Sequence, residues 1–196
     1  VAPVRLPRPR RLPRSGLSVP ILPTQRDPRF ITTRRGGTLT DDDHRLLAVW
    51  AVECAEHVLP LFESERPDDR RPRHALEVAR GWIRGEVRMT EAHDTAFVAN
   101  AAARETTGAA KFAALAAGQA VAVAHVAAHE LGAAAYAIRA VRASVPDADG
   151  DRAALAERDW QRDRLPDAIR ELVLDDQVRR DAICWNAFSD GAGRGK

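Results

Sequence analysis

The stretch HVAAHELGAAAYA, residues 125–137, holds a dense set of side chains able to do chemistry. His125 and His129 stand four apart, the spacing that sets two imidazoles on one helical face, and His129, Glu130, Leu131 and Gly132 open like the zinc-protease motif His-Glu-x-x-His. That motif needs a second imidazole one turn further on to complete the grip on the ion, with the glutamate placed to deprotonate water. Residue 133 is alanine, so a ligand is missing. The pair His125 and His129 in turn has Val126 where the glutamate belongs, and Glu130 projects about 100° away from His129 on a helix. Two imidazoles alone do not hold a metal; a third donor must arrive from elsewhere, with His44, His57, Glu53 and His93 as candidates. Packing is the reading the sequence favours. His125, His129, Gly132 and Tyr136 then form one face, each ring meets a neighbouring carbonyl or carboxylate, and Gly132 admits another helix. No metal, cofactor or catalytic residue is assigned.

Glu53, Cys54 and His57 form a second grouping with the residue types of a thiol-imidazole dyad. Cys54 falls on the apolar stripe of its helix, however, and a thiol held in a core is inert. The chain lacks the phosphate loop G-x-x-x-x-G-K-[ST], the dinucleotide turn G-x-G-x-x-G and the nucleophile elbow G-x-S-x-G, which disfavours nucleotide-driven and serine-hydrolase chemistry. The arginine groups Arg70, Arg71 and Arg73, and Arg158, Arg162 and Arg164, alternate with acids and read as solvated faces with intrahelical pairs.

The elements that carry these residues read as helices throughout. Thr40 followed by Asp43 has the spacing of a capping box and opens a first helix, on which Leu47, Trp50, Cys54, Val58 and Leu61 make an apolar stripe. Asp41, Asp42 and Asp43 lie at its positive end, and Pro60 is expected to kink or end it. Pro72 sits in the first turn of a second helix that stops near Gly85, and a third is expected from a Thr90 cap to Gly108. Residues 109–144 have helical propensity over some 35 positions but contain Gly118 and Gly132, so two helices with a break between about 120 and 130 are expected. After the VPDADGD loop, two further helices follow, the second carrying Ile169, Leu172, Val173, Asp176 and Val178 toward Ile183 and Trp185. No segment alternates with period two. The fold class is therefore all-α: a single-domain bundle or array of about six or seven helices.

Charge divides the chain. Residues 1–40 carry nine arginines against the single acid Asp27, whereas the remainder has 21 basic and 27 acidic residues. An acidic body thus follows a basic, proline-rich leader, and the expected organisation is a disordered leader over 1–27, a helical domain over 28–190 and a frayed tail over 191–196. With a net acidic body and few aromatic platforms, direct nucleic-acid binding by the body is not expected. No apolar run approaches the length of a membrane span and no secretory signal is visible, so a soluble cytoplasmic protein is expected. Cys54 and Cys184 are too few and too far apart for a disulfide framework.

The segments RRGGTLTDDDHRLLAVWAVECAEHVLPLFE, RPRHALEVARGWIRGE, AHVAAHELGAAAYAIRAV and RDWQRDRLPDAIRELVL, in that order, resemble the putative immunity protein family of bacteria, particularly actinobacteria, over residues 28–175. The resemblance implies an all-helical protein of polymorphic toxin systems that binds a cognate toxin and blocks it; it brings no catalytic residues. An acidic surface suits the basic cleft of a toxin that acts on nucleic acid. The expected partner-binding acids are Asp41, Asp42, Asp43, Glu53, Glu56, Asp175 and Asp176. Two other readings stay open: a metal-dependent enzyme using His125 and His129, and a helical module that self-associates as a homodimer.

Overall fold

The computed structural model describes residues 21–190. Among them are seven α-helices: α1 (Asp41–Glu63), α2 (Arg71–Ile83), α3 (Met89–Arg104), α4 (Gly108–Ala122), α5 (Glu130–Ala143), α6 (Asp147–Asp163) and α7 (Asp167–Arg180). Four 3₁₀ turns accompany them: η1 (Pro28–Phe30) and η2 (Thr33–Arg35) before α1, η3 (Ala127–His129) between α4 and α5, and η4 (Ala182–Cys184) after α7. No strand is present among the described residues, and the sole β feature there is an isolated bridge between Thr32 and Leu39. The all-α expectation holds.

α1 begins as its capping box requires. The Thr40 hydroxyl oxygen accepts the Asp43 N–H at 3.0 Å and donates to the Asp43 carboxylate at 2.7 Å. This supplies one of the acceptors that the first turn of a helix lacks. Pro60 does not end the helix, which runs on to Glu63. Less than one turn remains beyond it, and its missing N–H costs the helix one bond, the one that the Glu56 carbonyl would accept. The expected stripe is buried except for Leu61, and it is joined by Ala48, Ala51, Val52, Ala55, Leu59 and Phe62. α1 is therefore a central helix, covered by α2, α4, α5 and α7. α4 packs against α1, α2, α3 and α5, and α6 leans on α5.

Ahead of α1, residues 21–40 do more than lead in. Asp27 caps η1 by accepting the Arg29 N–H at 2.9 Å, while Ile21, Phe30 and Leu39 are buried in the core. Gly36 takes a left-handed φ of 85°. A side chain on Gly37 would run into the Ile31 carbonyl, so both glycines are dictated by the backbone here. Residues 21–27, assigned by composition to the leader, thus include a residue of the core; residues 1–20 and 191–196 lie outside the described part.

Four local expectations change, the first at the VPDADGD stretch, which is not a loop beyond Pro146 because α6 already begins at Asp147. α3 starts at Met89 with no side-chain cap, and Thr90 lies inside its first turn. The break in residues 109–144 falls where expected, between α4 and η3, yet neither glycine is at it. Gly118 and Gly132 lie inside helices, where a methyl group would collide with the Asn100 and Gln119 side chains. On α7, Val178 is 80% exposed, and the buried face is completed by Gln177 and Arg180.

Candidate functional site

The break after α4 builds the site. Val123, Ala124 and His125 donate their N–H groups back to Ala120, Val121 and Ala122, a tightened turn that stops the helix. Val126 is extended, and η3 then runs directly into α5. The freed Val123 carbonyl accepts a 2.7 Å hydrogen bond from His44 Nε2 on α1. Burial lowers the pKa of His44, the expected consequence for a ring that ties the break to the central helix as a neutral donor.

His125 therefore sits in a turn, and His129 ends the 3₁₀ segment. They do not share a helical face as their spacing predicts. Their rings still meet, at 5.1 Å between centroids, and His93 of α3 lies edge-on to His125 at 4.5 Å. Of the four third-donor candidates, His93 is the one whose ring joins the pair; His44 is engaged with Val123, and His57 and Glu53 belong to the far part of α1. His129 Nδ1 donates to Gln119 Oε1 at 2.7 Å. Burial lowers its pKa to about 3, helped by the neighbouring His125 and Arg180. Burial also lowers His125, with His93 and Arg26 adding to the effect. Among the described residues no group of three His, Cys, Asp or Glu side chains is arranged to hold a metal ion.

Below this cluster, Glu130 is wholly buried at the start of α5. Arg180 reaches it at 3.1 Å, bonds the Ala128 carbonyl at 2.9 Å and grips Asp176 through two nitrogens. Burial raises the Glu130 pKa to about 8 against the pull of Arg180. Burial thus biases the Glu130 carboxyl toward its protonated form. Sequence reasoning placed Asp176 on the partner surface; it is buried in this ion pair.

The other acids expected at a partner surface are placed as follows. Asp41 pairs with Arg34 at 3.0 Å, Asp42 with Arg45 at 3.1 Å, and Asp43 serves the Thr40 cap. Glu56 is held by Arg80, and Asp175 by Arg29 and Arg179 at 2.7 and 2.6 Å. Glu53 is half-buried near them on α1.

The thiol-imidazole grouping is not assembled. Cys54 is buried, and desolvation raises its thiol well above the ordinary range. His57 points away to α6, where Nδ1 donates to Glu157 at 2.8 Å and the ring stacks on Trp160 at 3.7 Å. Glu157 is buried and also accepts from Gln161 at 2.8 Å. No spacing in the sequence announces this carboxylate-imidazole-indole stack, whose members are 100 residues apart. Arg70 and Arg164 are exposed as expected, but the other four arginines depart from expectation. Arg71 and Arg73 bridge elements, to Glu105 and Glu63. Arg158 is buried, bonded to the Phe188 carbonyl and Asp190, and Arg162 donates to Gln177. They close the C-terminal segment onto α6 instead of facing solvent.

A cleft of 1090 Å³ opens beside the histidines, walled by residues 22–35 on one side and by the break and the end of α7 on the other. Donors, ion pairs and a concave surface are present, but no nucleophile paired with a base and no metal cage is assembled among the described residues. Fold and site together define an all-helical domain with one cleft beside the α4–η3 break. Residues 37–168 match the model of the Imm-5 like putative immunity protein family, and the chain belongs to that family. No curated protein and no solved structure matches it. The matched span covers α1 to α6 and the start of α7; most of the cleft's arginine-bearing wall, residues 22–35 and 176–180, lies outside it.

Proposed function

We propose that this chain is an immunity protein that binds one cognate bacterial toxin and neutralises it by covering its working surface, acting through contact and without a reaction of its own. The observation that carries this reading is membership of the immunity family over residues 37–168. The acidic body supports it: an anionic helical surface is drawn to the cationic cleft of a toxin that handles nucleic acid, and the attraction accelerates encounter. Asp41 and Asp42, exposed at the start of α1, lead this surface, followed by Asp43, Glu53, Glu56 and Asp175. Each exposed ion pair there contributes little to folding, so its acid is free to exchange an internal arginine for one on the partner. The encounter takes place in the cytoplasm of the producing cell, where such a toxin acts.

The test is calorimetric titration of the full chain with the toxin encoded beside its gene, at low and at high salt. Saturable binding that weakens with salt, and that falls at least about tenfold in affinity in Asp41→Lys/Asp42→Lys, is the expected result. Absence of binding at low salt overturns the proposal. Binding that ignores both salt and the charge reversal moves the interface away from these acids.

A further inference from the structure

We infer that the cleft beside the α4–η3 break is a binding site for a phosphate monoester attached to an apolar or aromatic group. Six arginines line the cleft: Arg26, Arg29, Arg34, Arg35, Arg179 and Arg180. Four of them are spoken for by Asp27, Asp41, Asp175 and Asp176. The side chains of Arg26 and Arg35 have no hydrogen bond or ion pair among the described residues. Two guanidinium groups therefore line one concavity with no counter-charge among the described residues.

A further feature lies at the same place. His125 lines the cleft, and its Nδ1 is buried with no hydrogen-bond partner. A buried polar atom left alone costs free energy, so its presence here is an independent sign of an absent ligand. Two unpaired guanidinium groups and an imidazole nitrogen are the donor set that a doubly charged phosphate takes up with three acceptor oxygens. A single carboxylate would leave half of that charge unanswered.

The size and the remaining wall say what the phosphate is attached to. At 1090 Å³ the cleft is near the upper end of the range for small-molecule sites, roughly 300 to 1,000 Å³. Leu22, Ile31, Trp82, Met89 and Val126 supply an apolar side, with Trp82 half-buried and edge-on to His44 at 4.9 Å. Inorganic phosphate satisfies the donors but leaves this side wet. The site goes beyond the toxin-binding reading and does not depend on it.

The experiment is titration calorimetry on the full chain at constant ionic strength with three probes: inorganic phosphate, adenosine monophosphate and an N-acetylated glutamate amide. Adenosine monophosphate is expected to bind saturably, at least about tenfold tighter than phosphate, with the glutamate probe weaker than either. Arg26 and Arg35 are both exposed, so Arg26→Ala/Arg35→Ala should leave the melting temperature unchanged while losing at least about tenfold in affinity; Arg152→Ala, on the exposed face of α6, should bind as the parent does. No saturable binding by either phosphate probe overturns the proposal. So does undiminished binding in the double variant, or glutamate binding as tight as that of adenosine monophosphate. Equal affinity for phosphate and adenosine monophosphate overturns the apolar half.

Discussion

Between α4 and α5 the interior is alanine against alanine, whereas α6 and α7 turn Glu157, Arg158, Gln161, Asp176, Gln177 and Arg180 inward. The two regions solve the same problem by different physics. Alanine faces let helix backbones approach closely, and stability comes from many weak contacts at high density with no side-chain entropy to lose. The polar region gains less from each pair because every buried charge must first leave water. What it gains is position. Arg180 ties α7 to the break through Ala128 and Glu130, and Trp50 Nε1 ties α1 to α6 through the Gln161 carbonyl at 2.9 Å. The close-packed half supplies the body, and the polar half fixes where the cleft walls stand.

The comparison breaks most visibly at Arg180. Replacing it with methionine leaves Asp176 buried without its counter-charge, a loss of about 3–5 kcal/mol. For a chain of this size the melting temperature should fall by on the order of 10 °C. Arg180→Met/Asp176→Leu should recover most of that loss, because the pair is then replaced by apolar groups. A single variant that melts within about 2 °C of the parent would show that the polar region is not held by this pair.

The alanine region should answer to volume instead of charge. Ala117 is fully buried on α4, and Ala117→Leu forces three carbon atoms into a space already filled, at a cost of about 1–3 kcal/mol. Ala156 is exposed on α6, and Ala156→Leu should be close to neutral. Equal melting temperatures for the two variants would mean that α4 is loosely packed.

How far each region can be read from sequence follows from the same contrast. The Thr40 cap and the apolar stripe of α1 are local signals, carried by residues within a few positions of one another, and they were legible; the break between α4 and α5 falls in the expected interval but not at the glycines it was expected from. The inward face of α7 was not, because Gln177 and Arg180 are ordinary surface residues by type and become interior only through partners on other elements. His125 and His129 looked like a helical pair because spacing assumes an unbroken helix. The chain turns at Val123 once His44, 79 residues away, takes its carbonyl. Asp176 was grouped with exposed acids for the same reason: sequence shows charge, and only the fold shows burial.

Protons give a third way to separate the regions. Glu130 has its pKa raised from 4.5 to about 8, so the folded state holds a proton that the unfolded chain releases. Its contribution is complete below about pH 4.5 and is lost as the pH rises through 8. His129, lowered from 6.5 to about 3, acts with the opposite sign: its contribution is complete above pH 6.5 and is lost as the pH falls toward 3. His44 and His125 are lowered as well and add to the acid side. Stability should therefore peak near pH 6.5. Between pH 6.5 and 8 it should decline by up to about 2 kcal/mol, the linkage for one proton. Urea denaturation across pH 5 to 8.5 measures this directly. Glu130→Gln keeps the shape and removes the proton, so it should flatten the alkaline side alone. An alkaline decline that survives in that variant would place its source outside the Glu130, Asp176 and Arg180 group.

The smallest effect is expected where charge is plentiful and burial is absent. Arg152 bonds Asp149 at 2.7 Å on α6, a distance as good as those around Arg180, but its side chain is 81% exposed. In water the pair gives up its hydration for little gain and is screened by salt. Arg152→Ala should thus change stability by less than about 0.5 kcal/mol in chemical denaturation. Set beside Arg180→Met, it isolates the variable that matters, because both variants remove one guanidinium from one aspartate on an outer helix. If Arg152→Ala cost as much as Arg180→Met, ion pairing as such would be holding α6 and α7. The division between a close-packed half and a polar, position-fixing half would then be a division of composition without one of mechanism.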